Sequence, residues 1–243
     1  MDPQLAPLAL NGGSTPTHAL RSTSPAIDSG LNSIAVDADN NLLTSDQSGS
    51  SRIDSLTVDI GAFEAVIGPS VQSIEVNGGN IQRSLVKEIT VSFSEIVNVD
   101  SSSFIVRNTD SMIDFVPDVV TGVVNGQTVA TLTFSGSGIT NGSLPDGNYE
   151  IEILDTITNT SGNQLDGDGD GFAGGNATDE FFRLYGDNNG SGNVNIFDLL
   201  AFRSSFGSED GDSDFNEDLD FGGDGRINIF DLLQFRSRFG TSV

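Results

Sequence analysis

Asn195-Ile-Phe-Asp-Leu-Leu-Ala-Phe-Arg-Ser-Ser-Phe-Gly207 returns 33 residues later as Asn228-Ile-Phe-Asp-Leu-Leu-Gln-Phe-Arg-Ser-Arg-Phe-Gly240, and only Ala201/Gln234 and Ser205/Arg238 differ. Ahead of each copy lies an oxygen-rich, glycine-containing loop. On a 12-position frame the first reads Asp187 (1), Asn189 (3), Ser191 (5), Gly192 (6), Asn193 (7), Asn195 (9) and Asp198 (12). The second reads Asp220 (1), Gly222 (3), Asp224 (5), Gly225 (6), Arg226 (7), Asn228 (9) and Asp231 (12).

Alternating oxygen residues, a glycine at the sharp turn, a backbone carbonyl at position 7 and a closing carboxylate form the EF-hand frame. Asn193 and Arg226 would therefore contribute their carbonyls. A hard divalent cation needs six to eight oxygens, and neither loop offers the Cys or His that would favour zinc, so calcium is the expected cofactor. Gly222 supplies no side-chain ligand, which leaves the second site one donor short. With two carboxylates in the first loop and three in the second, affinities on the order of 0.1–1 mM are expected. The alternative reading is a pair of solvated acidic turns. Val194 and Ile227 at position 8 are apolar, as expected where two such loops pair back to back.

A short helix should follow each loop. Ile196, Leu199, Leu200, Phe202 and Phe206 fall on a broad apolar stripe, repeated by Ile229, Leu232, Leu233, Phe235 and Phe239. Gly207 and Gly240 sit where a C-cap is expected, and Arg203, Arg236 and Arg238 lie in the last turns, where the helix dipole favours cations. Residues 186–240 resemble a type I dockerin module, in which two loop–helix calcium motifs pack with near two-fold symmetry. The resemblance implies a protein partner, cohesin-like or another surface receptor. The residues expected to meet it are Ile196, Phe197 and Arg203 with their counterparts Ile229, Phe230 and Arg236. In cellulosomal dockerins positions 10 and 11 often hold small hydroxyl residues, whereas Ile196, Phe197, Ile229 and Phe230 stand there in this chain. For the phenylalanines, core packing is the competing role.

The 243 residues carry 35 acidic against 10 basic side chains, a formal charge of −25. Such a chain repels nucleic acid and anionic membrane surfaces and attracts divalent cations. With no Cys, disulfides and thiolate metal sites are excluded. No apolar run approaches the roughly 20 residues of a membrane span. Met1-Asp-Pro-Gln has neither a basic nor a hydrophobic leader region, although the composition is that of an extracellular or cell-surface β-rich protein. The expectation is that the chain is the C-terminal part of a longer polypeptide or has a misassigned start.

Residues 1–66 are turn-rich, with short apolar pieces such as Ile34-Ala-Val and Leu56-Thr-Val-Asp-Ile. The words Asn11-Gly-Gly-Ser-Thr-Pro-Thr-His-Ala-Leu20, Ser24-Pro-Ala-Ile-Asp-Ser-Gly30, Asp46-Gln-Ser-Gly49 and Asp59-Ile-Gly-Ala-Phe-Glu64 resemble the C-terminal, choice-of-anchor end of right-handed parallel β-helix proteins. A cap of that kind would show an exposed apolar face. His18, the one histidine, reads as a structural turn residue. Asp28, Asp59 and Glu64 read as caps of backbone turns, not as a glycosidase pair.

Gly68-Pro69 marks a linker, after which strands of period two follow: Ser73–Val76, Glu88–Phe93, Ser103–Val106, Val116–Val124, Thr128–Phe134 and Asn148–Leu154. Asn77-Gly-Gly-Asn, Asn125-Gly and Pro145-Asp-Gly-Asn are the turns between them. The segments Val91–Val97 and Ser143–Ile151 resemble bacterial Ig-like spacers. Asp166, Asp168 and Asp170 occupy positions 1, 3 and 5 of a third calcium-type loop, with Gly171 at 6. Position 12 is Ala177, so Asp179 or Glu180 would have to close the shell. A solvated acidic linker is the alternative there, and Phe181-Phe-Arg-Leu-Tyr185 reads as a last strand or an extended connector into the dockerin-like module.

The expected fold is thus mainly β in four parts. Residues 1–66 cap a parallel β-helix, 67–165 form an Ig-like β-sandwich, 166–185 an acidic linker with a candidate calcium loop, and 186–243 a small α-helical dockerin-like module with paired EF-hand-like loops. Function is expected to be non-catalytic docking or anchoring. The alternative is the remnant of a secreted polysaccharide-degrading β-helix enzyme, a lyase or glycoside hydrolase whose catalytic coils lie elsewhere.

Overall fold

The computed structural model describes residues 2–54 and 57–243. Leu56, at the head of one apolar piece named above, lies outside the described residues. The chain forms two compact units, one of residues 1–70 and 155–176, the other of residues 71–154 and 177–243.

In the first unit, β1 (Leu5–Ala9) and β2 (Thr17–Leu20) form an antiparallel hairpin, which is the strand pairing within this unit among the described residues. His18 lies in strand β2 and not in a turn, its Nδ1 2.8 Å from the Ala6 carbonyl. A small core of Leu20, Ala26 and Ala65 is backed by Ile27, Phe63 and Ile67. Beside it, buried Arg52 pairs with Glu64 at 2.6 Å. Glu64 accepts from the Asp54 and Asp59 amides, and Asp59 from those of Asp28 and Ala65. These carboxylates are spent on backbone donors. Leu5, Leu8, Leu10, Leu31, Ile34, Leu42 and Ile60 are exposed.

The second unit contains two four-stranded antiparallel sheets. In chain order the strands of these two sheets are β3 (Val71–Val76), β4 (Glu88–Phe93), β5 (Phe104–Asn108), β6 (Ile113–Phe115), β7 (Asp118–Val124), β8 (Gln127–Thr133), β9 (Gly147–Ile153) and β10 (Ala177–Arg183). One sheet runs β3-β4-β8-β7 and the other β10-β9-β5-β6. Alternation places Ile89, Val91, Phe93, Ala130 and Leu132 of the first, and Phe104, Val106, Tyr149, Ile151 and Ile153 of the second, in the buried core. Asn125 and Gly126, with φ of 53° and 81°, make the two-residue turn between β7 and β8, the left-handed geometry that Asn-Gly favours. β6 had no counterpart among the expected strands, being only three residues long.

The stretch 166–185 is not a linker. Its first half belongs to the first unit, and Ala177–Arg183 is strand β10, fully registered on β9 from Gly147↔Arg183 to Ile153↔Ala177. A seven-residue strand with Asp179 and Glu180 at its centre defeats an alternation test, because their carboxylates are exposed on an edge. Beyond β10 come α1 (Ile196–Ser205) and α2 (Ile229–Arg238). No helix among the described residues is long and apolar enough to cross a membrane.

Candidate metal loops and docking face

Each loop is built by its own backbone. Asp187 is fully buried and its carboxylate accepts from the amides of Asn189, Ser191 and Gly192 at 3.3, 3.1 and 2.8 Å. Asp220 accepts from Gly223, Asp224 and Gly225 at 2.7, 3.2 and 2.8 Å. The turn needs left-handed residues, and Gly190 and Gly192 (φ 70° and 73°) are matched by Gly223 and Gly225 (72° and 75°).

At the other end, Asp198 accepts from the Asn188 and Asn195 amides, drawing the last position of the first loop against its start. Asp231 does the same with Phe221 and Asn228. Burial, together with the charges of Asp220 and Asp224, pushes the Asp231 carboxyl above its ordinary value, as expected where acidic groups face one centre. The Ser191 hydroxyl lies 3.2 Å from the Asn193 carbonyl, so oxygens of positions 5 and 7 are brought together.

Asn195 and Asn228 have a second task. Their side chains cap the helices, accepting from the Phe197 and Phe230 amides at 2.9 and 2.8 Å, within capping boxes completed by Asp198 and Asp231. As ligands at position 9 they would act through water. In the second loop Asp224 also accepts from the Asn228 side chain and the Arg226 amide.

The position-8 residues do not pair with one another. Val194 exchanges backbone hydrogen bonds with Gly240 and Thr241 beyond α2, and Ile227 with Gly207 and Ser208 beyond α1. Each loop therefore clasps the exit of the other copy's helix, while the two side chains share one core. Gly207 and Gly240, at φ of 94° and 84°, make those exits possible.

The core between the helices is narrower than the sequence stripe. Phe202 and Phe235 meet at its centre as a tilted pair with ring centroids 4.9 Å apart, joined by Val194, Ile227, Leu219, Tyr185, Leu184 and Leu85 and flanked by Leu199 and Leu232. Leu200 and Phe206, which the stripe places inside, are exposed, as are Leu233 and Phe239. A ten-residue helix against a small core buries one strip, and residues 196, 197 and 200 share the other face. The expected partner-binding residues are all on the surface. Phe197 and Phe230 are 70% and 72% exposed, which removes core packing as their role, and Arg203 and Arg236 are exposed beyond them. Leu200 and Leu233 join this face, which the stripe had assigned to the interior.

Residues outside the repeat hold the loops. The Arg83 amide donates to the Asp187 carbonyl, and the Asn141 side chain to the Asp220 carbonyl at 2.8 Å. A Cβ on Gly190 would stand 2.1 Å from the Ile81 carbonyl and one on Gly223 2.3 Å from the Asn141 side chain. Glycine at position 4 of both loops was the sequence signal for these supports. Asp146 anchors α2 by accepting from Arg238 Nε and Arg183, both at 2.5 Å, and from the Tyr185 amide. Although burial raises its pKa, these donors hold the carboxyl below its ordinary value.

In the third loop, the ligand oxygens of Asp166, Asp168 and Asp170 all lie within 4.8 Å of one another, the one such acidic trio among the described residues. Asp166 Oδ1 is buried without a hydrogen-bond partner. Asp179 and Glu180, the residues expected to close that shell, lie in β10 and pair with Ile151 and Glu150 of β9.

Residues 185–239 match the type I dockerin domain. The match begins at Tyr185, whose hydroxyl donates to the Leu219 carbonyl inside the domain core. No curated protein sequence matches the chain. Among solved structures, the N-terminal part of the bacterial S-layer protein SbsC is similar at 16% identity and a TM-score of 0.32. It covers 48% of this chain, which spans 24% of its length. A type II cohesin–X-dockerin complex from Acetivibrio cellulolyticus, an N-terminal interface mutant, is similar at 17% identity and a TM-score of 0.24, over 58% of this chain and 82% of that one.

Proposed function

We propose that this chain is a non-catalytic docking segment of an extracellular or cell-surface protein, in which a dockerin domain with two calcium loops presents an apolar helical face to a cohesin-type receptor. The observation that carries the reading is the matched pair of loops. In each, buried carboxylates at positions 1 and 12 and a turn glycine at 6 enclose the space between loop and helix. Calcium supplies a positive centre for these oxygens. Asp187, Asn189, Ser191, Asp198 and the Asn193 carbonyl serve one site, with Asn195 through water. Asp220, Asp224, Asp231 and the Arg226 carbonyl serve the other, with Asn228 through water.

The two four-stranded sheets and the turn-rich first unit fit an Ig-like spacer that follows a β-helix terminus in the chain, the arrangement the sequence words suggest. The loop of Asp166, Asp168 and Asp170 belongs to the same calcium reading, because the partnerless Asp166 oxygen has a ligand's surroundings.

The helical face is suited to recognition. Ile196, Phe197 and Leu200, with Arg203 at the helix end, recur as Ile229, Phe230, Leu233 and Arg236 on α2. Exposed aromatic and arginine side chains are the usual anchors of protein interfaces.

Calcium titration followed by circular dichroism and melting tests the reading. For sites of 0.1–1 mM affinity, about 10 mM calcium should stabilise the dockerin domain by about 1.4–2.7 kcal/mol per site. Excess chelator should lower both helical signal and melting temperature. Identical melts with calcium and with chelator would sink the proposal, as would retention of calcium by the Asp187→Ala, Asp220→Ala double variant at both loops.

A further inference from the structure

Three of the four sheet edges in the second unit carry guards against strand addition. β10 holds Asp179 and Glu180, β3 holds Glu75, and β6 is three residues long with Asp114 paired to Arg107 at 2.6 Å. The fourth edge, β7, carries its one charge at its first residue, Asp118, and none along the rest. After Asp118 it runs Val119-Val-Thr-Gly-Val-Val124, with no charge and no proline, and its described pairing is to β8 alone. Val120, Val123 and Val124 are 69%, 62% and 54% exposed, although Val123 stands opposite buried Thr128 on the face turned to the core.

We propose that this edge is an interface at which a second copy of the chain adds its own β7, antiparallel, to continue the sheet. Its backbone can serve an extended strand, and its sequence is complementary to itself. A two-fold axis normal to the sheet keeps core-side residues opposite core-side residues, which permits registers centred on Thr121 or Gly122. Centred on Thr121, Val119 meets Val123 of the second copy. Centred on Gly122, Val120 meets Val124. In both registers valine faces valine, and Asp118 of one copy lies away from Asp118 of the other.

The interface is small, so a dissociation constant on the order of 10–100 μM is expected. Because each copy carries a charge of −25, screening should strengthen the pairing.

Sedimentation velocity on the full chain at fixed calcium, from micromolar to millimolar protein and from low to high salt, provides the test. A dimer is expected that tightens with salt, and Val123→Lys should weaken it by about tenfold or more, since edge lysines oppose strand pairing. Circular dichroism checks that the variant is folded, and Val124→Lys replaces it if it is not. The proposal is overturned by a chain that stays monomeric at millimolar concentration, or by folded lysine variants that dimerise like the parent. It is equally overturned if Phe197→Ser abolishes the dimer while Val123→Lys does not, which would place self-association on the helices. A monomer that takes up an unrelated extended peptide at β7 would overturn the second copy as occupant.

Discussion

The two loop–helix copies share eleven of the thirteen residues from each helix cap to its exit glycine, yet they meet different surroundings. Ser205 of α1 is buried and donates to the Asp214 carbonyl while accepting from the Asn216 amide, so it fastens the connection that leads to the second loop. Arg238, its counterpart in α2, reaches the sandwich residue Asp146 and lies 5.3 Å from the Phe221 ring centroid and 5.5 Å from that of Tyr185. Gln234, the other substituted position, receives a hydrogen bond from Arg238 at 2.8 Å. Both departures from the repeat therefore serve one contact. The pseudo-symmetry belongs to the interior and the outer face; the substituted positions mark where one copy is tied to the rest of the unit.

The largest effect should fall on what the copies share. Phe202→Ala and Phe235→Ala each remove half of the central pair, at a cost of about 3–5 kcal/mol. Chemical denaturation of the two variants should give nearly equal losses. A large disparity would show that the interior is not symmetric in energy, whatever its geometry.

The next effect should separate the copies. Asp146→Ala leaves Arg183 buried with its main counter-charge removed and frees Arg238, for a loss of about 2–3 kcal/mol, below the range of a wholly buried pair because Asp146 keeps some exposure. Its folded pKa is depressed, so the stabilisation it gives is present above the unfolded value near 3.9 and is lost as pH falls below it. Melting curves from pH 6 downward should accordingly converge for parent and Asp146→Ala in the acid range. Curves that stay a fixed distance apart would remove the ion cluster as the cause.

Much of the dockerin domain was legible because its signals are local. A twelve-position loop frame, a helix cap and an exit glycine each occupy fixed offsets along one segment, whereas the position-4 glycines Gly190 and Gly223 went unread although a close approach depends on them. Strand positions were also readable where one face is buried, as for Glu88–Phe93, whose alternation reproduces the observed strand to the residue. What depends on distant segments was not. Leu200 and Phe206 look interior by spacing, but how much of a helix is covered is set by the size of the core opposite it. Asp146 sits in a turn 92 residues before Arg238, and nothing in its neighbours announces an anchor. The first half of strand β10, before Phe181, is disguised by acidic residues that guard an edge.

The smallest predicted effect concerns the helix caps. Asn195 and Asn228 each satisfy an amide in the first turn, and Asp198 and Asp231 answer with the cap's own amide, so Asn195→Ala and Asn228→Ala should each cost about 1 kcal/mol. Measured with chelator present, Asn195→Ala is a capping loss alone, whereas Asn228→Ala also loses the hydrogen bond from its side chain to Asp224. Measured with calcium, each variant also lacks the position-9 oxygen, and any excess loss reports the water-mediated ligand. The loops are unequal in donors, since the first has Asn189 at position 3 where the second has Gly222. A loop already short of one oxygen has less to spare, so the calcium-dependent excess should be larger for Asn228→Ala. Equal excesses in the two copies would mean that the cap residues do not contribute to holding the ion.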